Sequence, residues 1–345
     1  MLVIPPRQRM WLAQLLKLDL ALLLLVLVWV LSQAFPSSEA VRLRNALVLD
    51  GVVSPAQLAW APAQAPADFR LEHAQPSAFF STLAQARPEY TTGGSWPRAQ
   101  ALGRSLQVKL DDKGPIMKGL EESYTRIVAQ GEGYCGDFAD VFTALAHAAG
   151  IVTRQWSFSF DGYGGHGHIF NEVWDDQAGK WRAIDLYNNY LFVDPDSGEA
   201  LSALEFRAAL RGERPMARIV QFNPDARVGF VIPEKALAYY RNGMDQWYLW
   251  WGNDVFSANG NPTVEALGKI SRHVEQLAAI IEGVQPRMRI IETPESGARI
   301  AHMEQLKGRL ILAAEAFCAL AALALVLGLL LLLQPMKAER VAHGR

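Results

Sequence analysis

The hydrophobic residues of the chain are concentrated in a run near each end, and a patterned region lies between the two runs. Residues 310–333 are apolar except for Glu315 near the start, over a length that spans a bilayer, which takes about 20 residues. Residues 20–31 form a shorter apolar run, which reaches that length when it is extended back to Trp11. The extension includes Lys17 and Asp19, whose side chains can reach the bilayer surface. We therefore predict two transmembrane helices.

The N-terminal run has a second interpretation as a cleaved signal peptide. Ser32-Gln33-Ala34 provides a small-x-small cleavage site. We favour an uncleaved anchor, because the basic region before the run is long and the second run suggests a hairpin of two spans. Both interpretations export the residues that follow.

Basic residues outside the two runs predict the orientation in the membrane. They precede the first run and follow the second, and they are Arg7, Arg9, Lys337, Arg340 and Arg345. Both termini are therefore predicted in the cytoplasm, the spans in a bacterial inner (cytoplasmic) membrane, and residues 36–308 in the periplasm. Positions 42, 44, 307 and 309 are also basic, but long loops cross largely regardless of their charge.

The region between the runs contains both helical and strand patterns. Apolar residues recur at helical spacing in residues 136–149, and further helices are predicted at residues 114–130, 202–210 and 264–284. Strand patterns occur in TRQWSFSF, HIFNEVW, KWRAIDLY and NYLFVD, which are separated by turn residues. Residues 36–100 are rich in Pro, Ala and Ser, which predicts a loosely structured lead-in.

These patterns divide the chain into six segments. The outer segments are an N-terminal anchor, a second transmembrane helix and a cytoplasmic tail, at residues 1–35, 309–334 and 335–345. The inner segments are a lead-in packed on the core, the core itself, and an extension with an aromatic cluster and an amphipathic helix, at residues 36–109, 110–215 and 216–308.

Charge and cysteine content narrow the possible functions. The formal net charge is -2, so no overall basic field would attract nucleic acid, and no nucleic-acid partner is predicted. Of the two cysteines, Cys318 lies inside the second apolar run, where it acts as a small hydrophobic residue. It cannot pair with Cys135 in the exported region. Cys135 is therefore predicted to be a free thiol, which in an oxidising compartment often has a function.

Cys135 has the sequence context of a nucleophile. It begins a helical pattern directly after Gly133 and Tyr134. A thiol ionises more readily at a helix N-terminus or beside an imidazolium. The small residue allows the backbone to approach a substrate carbonyl, and the Cys135 amide can donate to an oxyanion. A buried structural cysteine is the alternative.

His168 and Asp185 lie on two neighbouring strand patterns. If Trp174 and Trp181 face each other across the turn, His168 and Asp185 share one face of the sheet at diagonal positions. Asp185 would then orient the imidazole and stabilise the imidazolium. His166 is a competing base, but it lies in the glycine-rich loop DGYGGHG.

Three motifs in this order resemble the transglutaminase-like superfamily: CGDFADVFTALAHAAGIVTR at residues 135–154, HIFNEVW at 168–174 and WRAID at 181–185. The resemblance covers about residues 110–200. It implies an α+β, papain-like fold in which a helix carrying the cysteine packs on an antiparallel sheet, here between two transmembrane helices. It also places the catalytic Cys, His and Asp of the family on Cys135, His168 and Asp185.

The third motif departs from the family pattern. The family commonly has Asp-Pro-Thr, whereas this chain has Asp185-Leu186-Tyr187. The carboxylate is retained, so the residue needed for catalysis is present, but the local turn differs.

The resemblance implies a cysteine enzyme that acts on amide or peptide bonds in the cell envelope by thiol acyl transfer. The outcome is hydrolysis, deamidation or crosslinking, and hydrolysis needs the least additional machinery. Because the family also contains inactive scaffolds, the alternative is a catalytically silent scaffold subunit of an envelope or exopolysaccharide assembly. The expected partners are a peptide or protein amide substrate, the lipid bilayer, and membrane proteins of such an assembly.

Aromatic residues provide candidate substrate contacts. Tyr134, Trp247, Trp250 and Trp251 are predicted to bind substrate, while contact with the bilayer interface and core packing are the alternatives for the tryptophans. Residues 194–198 faintly resemble a calcium loop but lack its further acidic ligands. No His/Cys cluster has zinc spacing. No metal or cofactor is predicted.

Overall fold

A computed structural model of the protein describes residues 5–107, 114–116 and 118–333. The helices are α1 (Pro6–Gln33), α2 (Ser37–Val48), α3 (Ala78–Ala84), α4 (Pro88–Thr91), α5 (Ser95–Leu106), α6 (Leu120–Gln130), α7 (Cys135–Ala148), α8 (Ala203–Leu210), α9 (Pro233–Asn242), α10 (Val255–Asn259), α11 (Pro262–Gly268), α12 (Arg272–Ile281) and α13 (Gly297–Leu332). The strands are β1 (Leu49–Val53), β2 (Thr153–Ser159), β3 (Gly167–Asp175), β4 (Lys180–Asp185), β5 (Tyr190–Val193), β6 (Arg218–Gln221), β7 (Trp247–Trp250) and β8 (Met288–Ile291).

The described strands form an eight-stranded sheet in the order β1-β8-β7-β2-β3-β4-β5-β6. Neighbouring strands are antiparallel, except that β1 and β8 are parallel. Trp174 pairs with Trp181 in the β3–β4 hairpin, which confirms the register predicted from the sequence. His168 and Asp185 therefore lie on one face of the sheet at diagonal positions.

Helices cover both faces of the sheet and bury two main cores. On one face, α7 packs on β2 and β3, and its apolar side chains share a core with α5 and α6. On the other face, an aromatic core contains Trp156, Phe170, Phe192, Phe206 and Trp247. The α+β fold with a cysteine-bearing helix on an antiparallel sheet, which the sequence predicted, is thus confirmed.

The segment before the core is more ordered than its composition predicts. Residues 36–107 contain four of the described helices, α2 to α5, and their strand β1 joins the sheet beside β8. Ala has the highest helix propensity, and Pro fits the first turn of a helix, as Pro88 does in α4. The prediction of loose structure in this segment is therefore wrong, because Pro and Ala there start and support helices.

Two predicted helices have different limits in the structure. The helix predicted at residues 114–130 begins at Leu120, and residue 117 lies outside the described residues. The helix predicted at residues 264–284 is divided into α11 and α12. The division arises because Ser271 accepts a hydrogen bond from the Val274 amide and so caps a new helix.

The terminal helices α1 and α13 are long and apolar enough to cross a membrane, by length and composition. They pack against each other, and both adjoin α2. Since α1 leads into the sheet domain and α13 leads out of it, the free ends of the two helices lie on the same side of the pair. The predicted tail at residues 335–345, with its three basic residues, lies outside the described residues.

Candidate active site

Cys135 is the first residue of α7 and is held there by the turn before it. Gly133 has a φ of +108°, and a Cβ at this position would lie 3.2 Å from the side chains of Asp137 and Ile116, so the turn requires glycine. The Asp137 carboxylate accepts hydrogen bonds from the amides of Tyr134 and Ile116, at 2.8 and 3.2 Å. The thiol is consequently fixed at the helix N-terminus, and the residue is half-buried.

His168 lies on β3 between Cys135 and Asp185. Its Nε2 lies 2.5 Å from Oδ2 of Asp185, and the Cys135 thiol forms a hydrogen bond with the ring. Because Nε2 faces Asp185, Nδ1 is the nitrogen that remains for the thiol. Burial disfavours the imidazolium, but the charge and hydrogen bond of Asp185, together with Cys135, raise the pKa of His168 to about 10. The structure thus brings the three residues together in the order thiol, imidazole, carboxylate.

Asp185 is fully buried at the end of β4 and is surrounded by donors. Its Oδ1 accepts a hydrogen bond from the Asn188 amide at 3.0 Å. Its Oδ2 accepts bonds from the Asn188 side chain at 3.0 Å and from the Tyr240 hydroxyl. Burial opposes ionisation, but His168 and these donors lower the pKa of Asp185 below its usual value. The site therefore favours a carboxylate next to an imidazolium.

Asn188 and Tyr240 are residues of the site that the sequence patterns did not predict. Asn188 follows Asp185 by three residues, and an Asp before a turn that contains Asn is a signal for this kind of side-chain-to-backbone contact. Tyr240 lies on α9, far along the chain, and no local pattern connects it with the site.

The thiol opens onto a cleft of about 440 Å³, within the size range of ligand pockets. Cys135 and His168 line the cleft, whereas Asp185 lies behind His168. Two of the predicted substrate-binding residues, Tyr134 and Trp250, also line it. Tyr134 is 43% exposed, so its ring is available to a bound molecule.

Trp247 and Trp251 lie in the aromatic core instead of on the cleft. Trp247 stacks on Phe158 with ring centroids 5.6 Å apart, and Trp251 packs edge-on against Phe69. The reason is the alternation of side chains along β7, which points Trp247 and Trp250 to opposite faces of the sheet. The predicted substrate contact is therefore not found for Trp247 and Trp251, and core packing accounts for both.

The remaining candidates of the sequence have ordinary structural roles. His166 is exposed in the glycine-rich loop, where its amide donates to Asp161 at 3.3 Å. Asp194 closes a turn by accepting from the amides of Asp196 and Ser197 and pairs with Arg214. Among the described residues, no group of three or more His, Cys, Asp and Glu residues could hold a metal ion.

This arrangement contains the parts needed for nucleophilic acyl transfer. A thiol contacts a base, and a carboxylate orients and charges that base. The first amides of α7 have no acceptor inside the helix and point to the same end as the thiol. They can donate to the oxyanion of a tetrahedral intermediate.

Tyr240→Phe tests whether the Tyr240 hydroxyl supports the charge of Asp185. Without this donor the carboxylate binds a proton more readily, so the Asp185–His168 pair is lost at a higher pH. We expect the acid limb of the pH profile for Cys135 alkylation to move to higher pH. Tyr239→Phe is the matched control, because Tyr239 contacts His168 through its ring, which phenylalanine retains. An unchanged profile in Tyr240→Phe would contradict the positioning role.

Comparison with known families identifies the segment that carries this site. Residues 98–186 match the family described as the Transglutaminase-like superfamily. The match includes Cys135, His168 and Asp185, covers less than half of the chain, and supports the superfamily for this segment. No match to the chain is found among the curated proteins or among the solved structures.

Proposed function

We propose that this chain, with its transglutaminase-like domain at residues 98–186, is a membrane-anchored cysteine enzyme that acts on amide or peptide bonds of the cell envelope. One observation carries the proposal. Cys135, at the N-terminus of a helix, contacts the His168 imidazole, and Nε2 of that ring lies 2.5 Å from the buried carboxylate of Asp185. A structural cysteine needs none of these partners.

The reaction proceeds in two acyl-transfer steps. The Cys135 thiolate attacks the carbonyl carbon, and the carbonyl oxygen becomes an oxyanion that the first amides of α7 stabilise. The C–N bond then breaks as His168 gives its proton to the leaving nitrogen, which leaves an acyl-thioester on Cys135. In the second step His168 takes a proton from the acceptor, which attacks the thioester and regenerates the thiolate.

Water is the acceptor that requires the fewest additional features of the site. We therefore favour hydrolysis or deamidation as the outcome of the reaction. An amine acceptor gives crosslinking by the same steps. Both acceptors use the same three residues, and they differ only in what enters the cleft after the first product leaves.

The terminal helices support a membrane location for this chemistry. We place α1 and α13 in a bacterial inner membrane with their free ends in the cytoplasm and the sheet domain in the periplasm. The support is that both helices are apolar, that they pack on each other, and that Arg7 and Arg9 lie at the free end of α1.

The test is the pH dependence of iodoacetamide alkylation at Cys135 in the detergent-solubilised chain. We expect rapid labelling at about pH 6, well below the pKa of about 8.5 of a free thiol. In His168→Ala the labelling should be slow at this pH and rise only near the pH at which ordinary thiols ionise. The measurement is the rate of adduct formation at Cys135, followed by mass spectrometry of the peptide.

Slow labelling at about pH 6 with an ordinary pH profile in both proteins would contradict the thiolate mechanism, provided that the folded proteins are labelled completely at high pH, which shows that the thiol is accessible. The silent scaffold would then be the better proposal. A second readout is the reaction with p-nitrophenyl acetate, which should leave an acetyl group on Cys135 in the native protein and none in Cys135→Ser.

A further inference from the structure

We infer that the cleft beside Cys135 lies against the membrane that holds α1 and α13, and that its substrate is a peptide segment held at that membrane surface by an anchor of its own. The inference rests on the proposed function and narrows its substrate class. Four features of the described residues carry it.

The first feature is the wall of the cleft that α2 provides. This helix begins at Ser37, four residues after the end of α1, so it starts where the chain leaves the proposed span. Val41 and Arg44 of α2 line the same cleft as Cys135 and His168. The cleft is thus built in part from the helix that directly follows the proposed span.

The second feature is the loop that leads into His168. Asp161 of this loop accepts a hydrogen bond from the Ser38 hydroxyl at 2.5 Å, and its carbonyl accepts one from Arg42 at 2.6 Å. The Gly165 amide donates to the Ser38 carbonyl at 3.1 Å. A Cβ on Gly165 would lie 2.9 Å from the Ser38 backbone, so the loop directly contacts the first turn of α2.

These contacts limit how far the site lies from the span. Ser38 is five residues beyond the end of α1, and Gly165 is three residues before His168. A residue extends the chain by at most about 3.6 Å, so His168 lies within about 30 Å of the end of α1. An extended peptide of about ten residues covers this distance.

The third feature is the opposite anchor, α13. Its first turns belong to the apolar cluster that contains the cleft residues Tyr248 and Trp250, through Ile300, Met303 and Leu306. Lys307 donates to the Leu49 carbonyl at 2.5 Å. The first turns of α13 therefore pack behind the cleft, and α2, which follows α1, forms part of its wall.

The fourth feature is an unpartnered apolar face on and beside α12. Ile270, Leu277 and Ile281 are 71%, 50% and 74% exposed. The helix packs against α2, and Ala279 lines the cleft. An amphipathic helix beside a membrane anchor can bury such a face at the headgroup level. The bilayer is the occupant that the position of α12 beside α2 indicates.

The experiment uses the full chain with Cys318→Ala, since Cys318 is exposed on α13, in vesicles of phosphatidylcholine and phosphatidylglycerol. The probe is bromoacetamide joined to phosphatidylethanolamine by a spacer of about 30 Å. This length equals the maximum distance between His168 and the end of α1. Free bromoacetamide measures intrinsic reactivity. The matched control places the thiol in the exposed β3–β4 turn, as Ala178→Cys with Cys135→Ser. This turn lies at the other end of β3 from His168, about 23 Å away along the strand.

We expect the ratio of tethered to free labelling to be at least about tenfold higher at Cys135 than at the control thiol. Equal ratios would overturn the membrane-facing cleft and leave the proposed function intact, because free bromoacetamide would still react rapidly with Cys135. Slow reaction of Cys135 with both reagents would instead contradict the proposed function, and with it the inference.

A second measurement places α12 without using the active-site thiol. Ile281→Cys, with Cys135→Ser and Cys318→Ala, is labelled with bimane in vesicles that contain nitroxide-labelled lipid. We expect quenching of the bimane at residue 281 and little quenching at residue 178. Equal quenching at the two positions would show that α12 is no closer to the bilayer than the β3–β4 turn, and would overturn the proposed orientation of the cleft.

Discussion

Glu172→Gln is expected to lower the free energy of unfolding by about 3–5 kcal/mol, the cost of leaving a buried charge without its partner. Glu172 and Arg154 are fully buried, and Nε of Arg154 lies 2.5 Å from the Glu172 carboxylate. Burial lowers the pKa of Arg154, and the charge of Glu172 opposes that effect. Glutamine keeps the shape of the side chain but removes the charge that compensates the guanidinium.

The expected loss is large because Glu172 also connects separate elements of the fold. It accepts hydrogen bonds at 2.6 Å from the Trp156 indole and from the Ala203 amide at the start of α8. Arg154 in turn donates to the Leu58 carbonyl at 2.7 Å. A glutamine amide would point a donor at one of the donors that now contact the carboxylate, which adds an unmade hydrogen bond.

Thermal unfolding in detergent measures this effect. We expect the midpoint of Glu172→Gln to fall by at least about 6 °C. Glu213→Gln, which weakens an exposed pair with Arg211, should change it little. Adding Arg154→Met to Glu172→Gln should recover part of the loss, because the unpaired charge is removed. If the two substitutions instead add their losses, the buried charge is not the cause.

The sequence predicts the parts of the site that depend on local contacts. His168 and Asp185 are brought together by one hairpin, and the paired tryptophans at positions 174 and 181 define its register. Cys135 is placed by the start of a helix whose apolar pattern is regular. These arrangements involve neighbouring elements, so period and turn chemistry are sufficient to predict them.

The parts that the sequence did not predict depend on distant pairing. Tyr240 reaches Asp185 because α9 packs into the aromatic core, with its ring against Phe192 and Phe206. Trp247 is directed into that core because β7 pairs with β2, nearly a hundred residues earlier in the chain. A dense aromatic run predicts burial or binding, but only the partner strand determines which face each ring occupies.

Asp185→Asn is expected to reduce acyl transfer by about 10³–10⁴-fold, which is the typical loss when the carboxylate that orients a catalytic imidazole is neutralised. The charge of Asp185 is what raises the pKa of His168 to about 10 against the effect of burial. With asparagine, burial dominates and the imidazole is neutral at pH 7. The thiol then lacks its cationic partner, so alkylation of Cys135 at about pH 6 should slow to the rate of an ordinary thiol.

The loss of stability caused by Asp185→Asn is expected to depend on pH. The pKa of His168 is raised from 6.5, so its contribution is complete below about pH 6.5 and is lost as the pH rises towards about 10. The pKa of Asp185 is lowered from 3.8, so its contribution is present above about pH 4 and is lost in acid. The difference in unfolding midpoint between native protein and Asp185→Asn should therefore be largest between about pH 4 and 6.5.

Asp175→Asn separates this effect from a general loss of a buried carboxylate. Asp175 lies at the other end of β3 and pairs with Arg182 at 2.6 Å, away from the thiol. Its substitution should lower the unfolding midpoint and leave the alkylation profile of Cys135 unchanged. If Asp175→Asn slows alkylation as much as Asp185→Asn does, the slower alkylation results from a general loss of stability of the sheet and not from the charge on His168. A selective effect of Asp185→Asn instead assigns the charge on His168 to this one carboxylate.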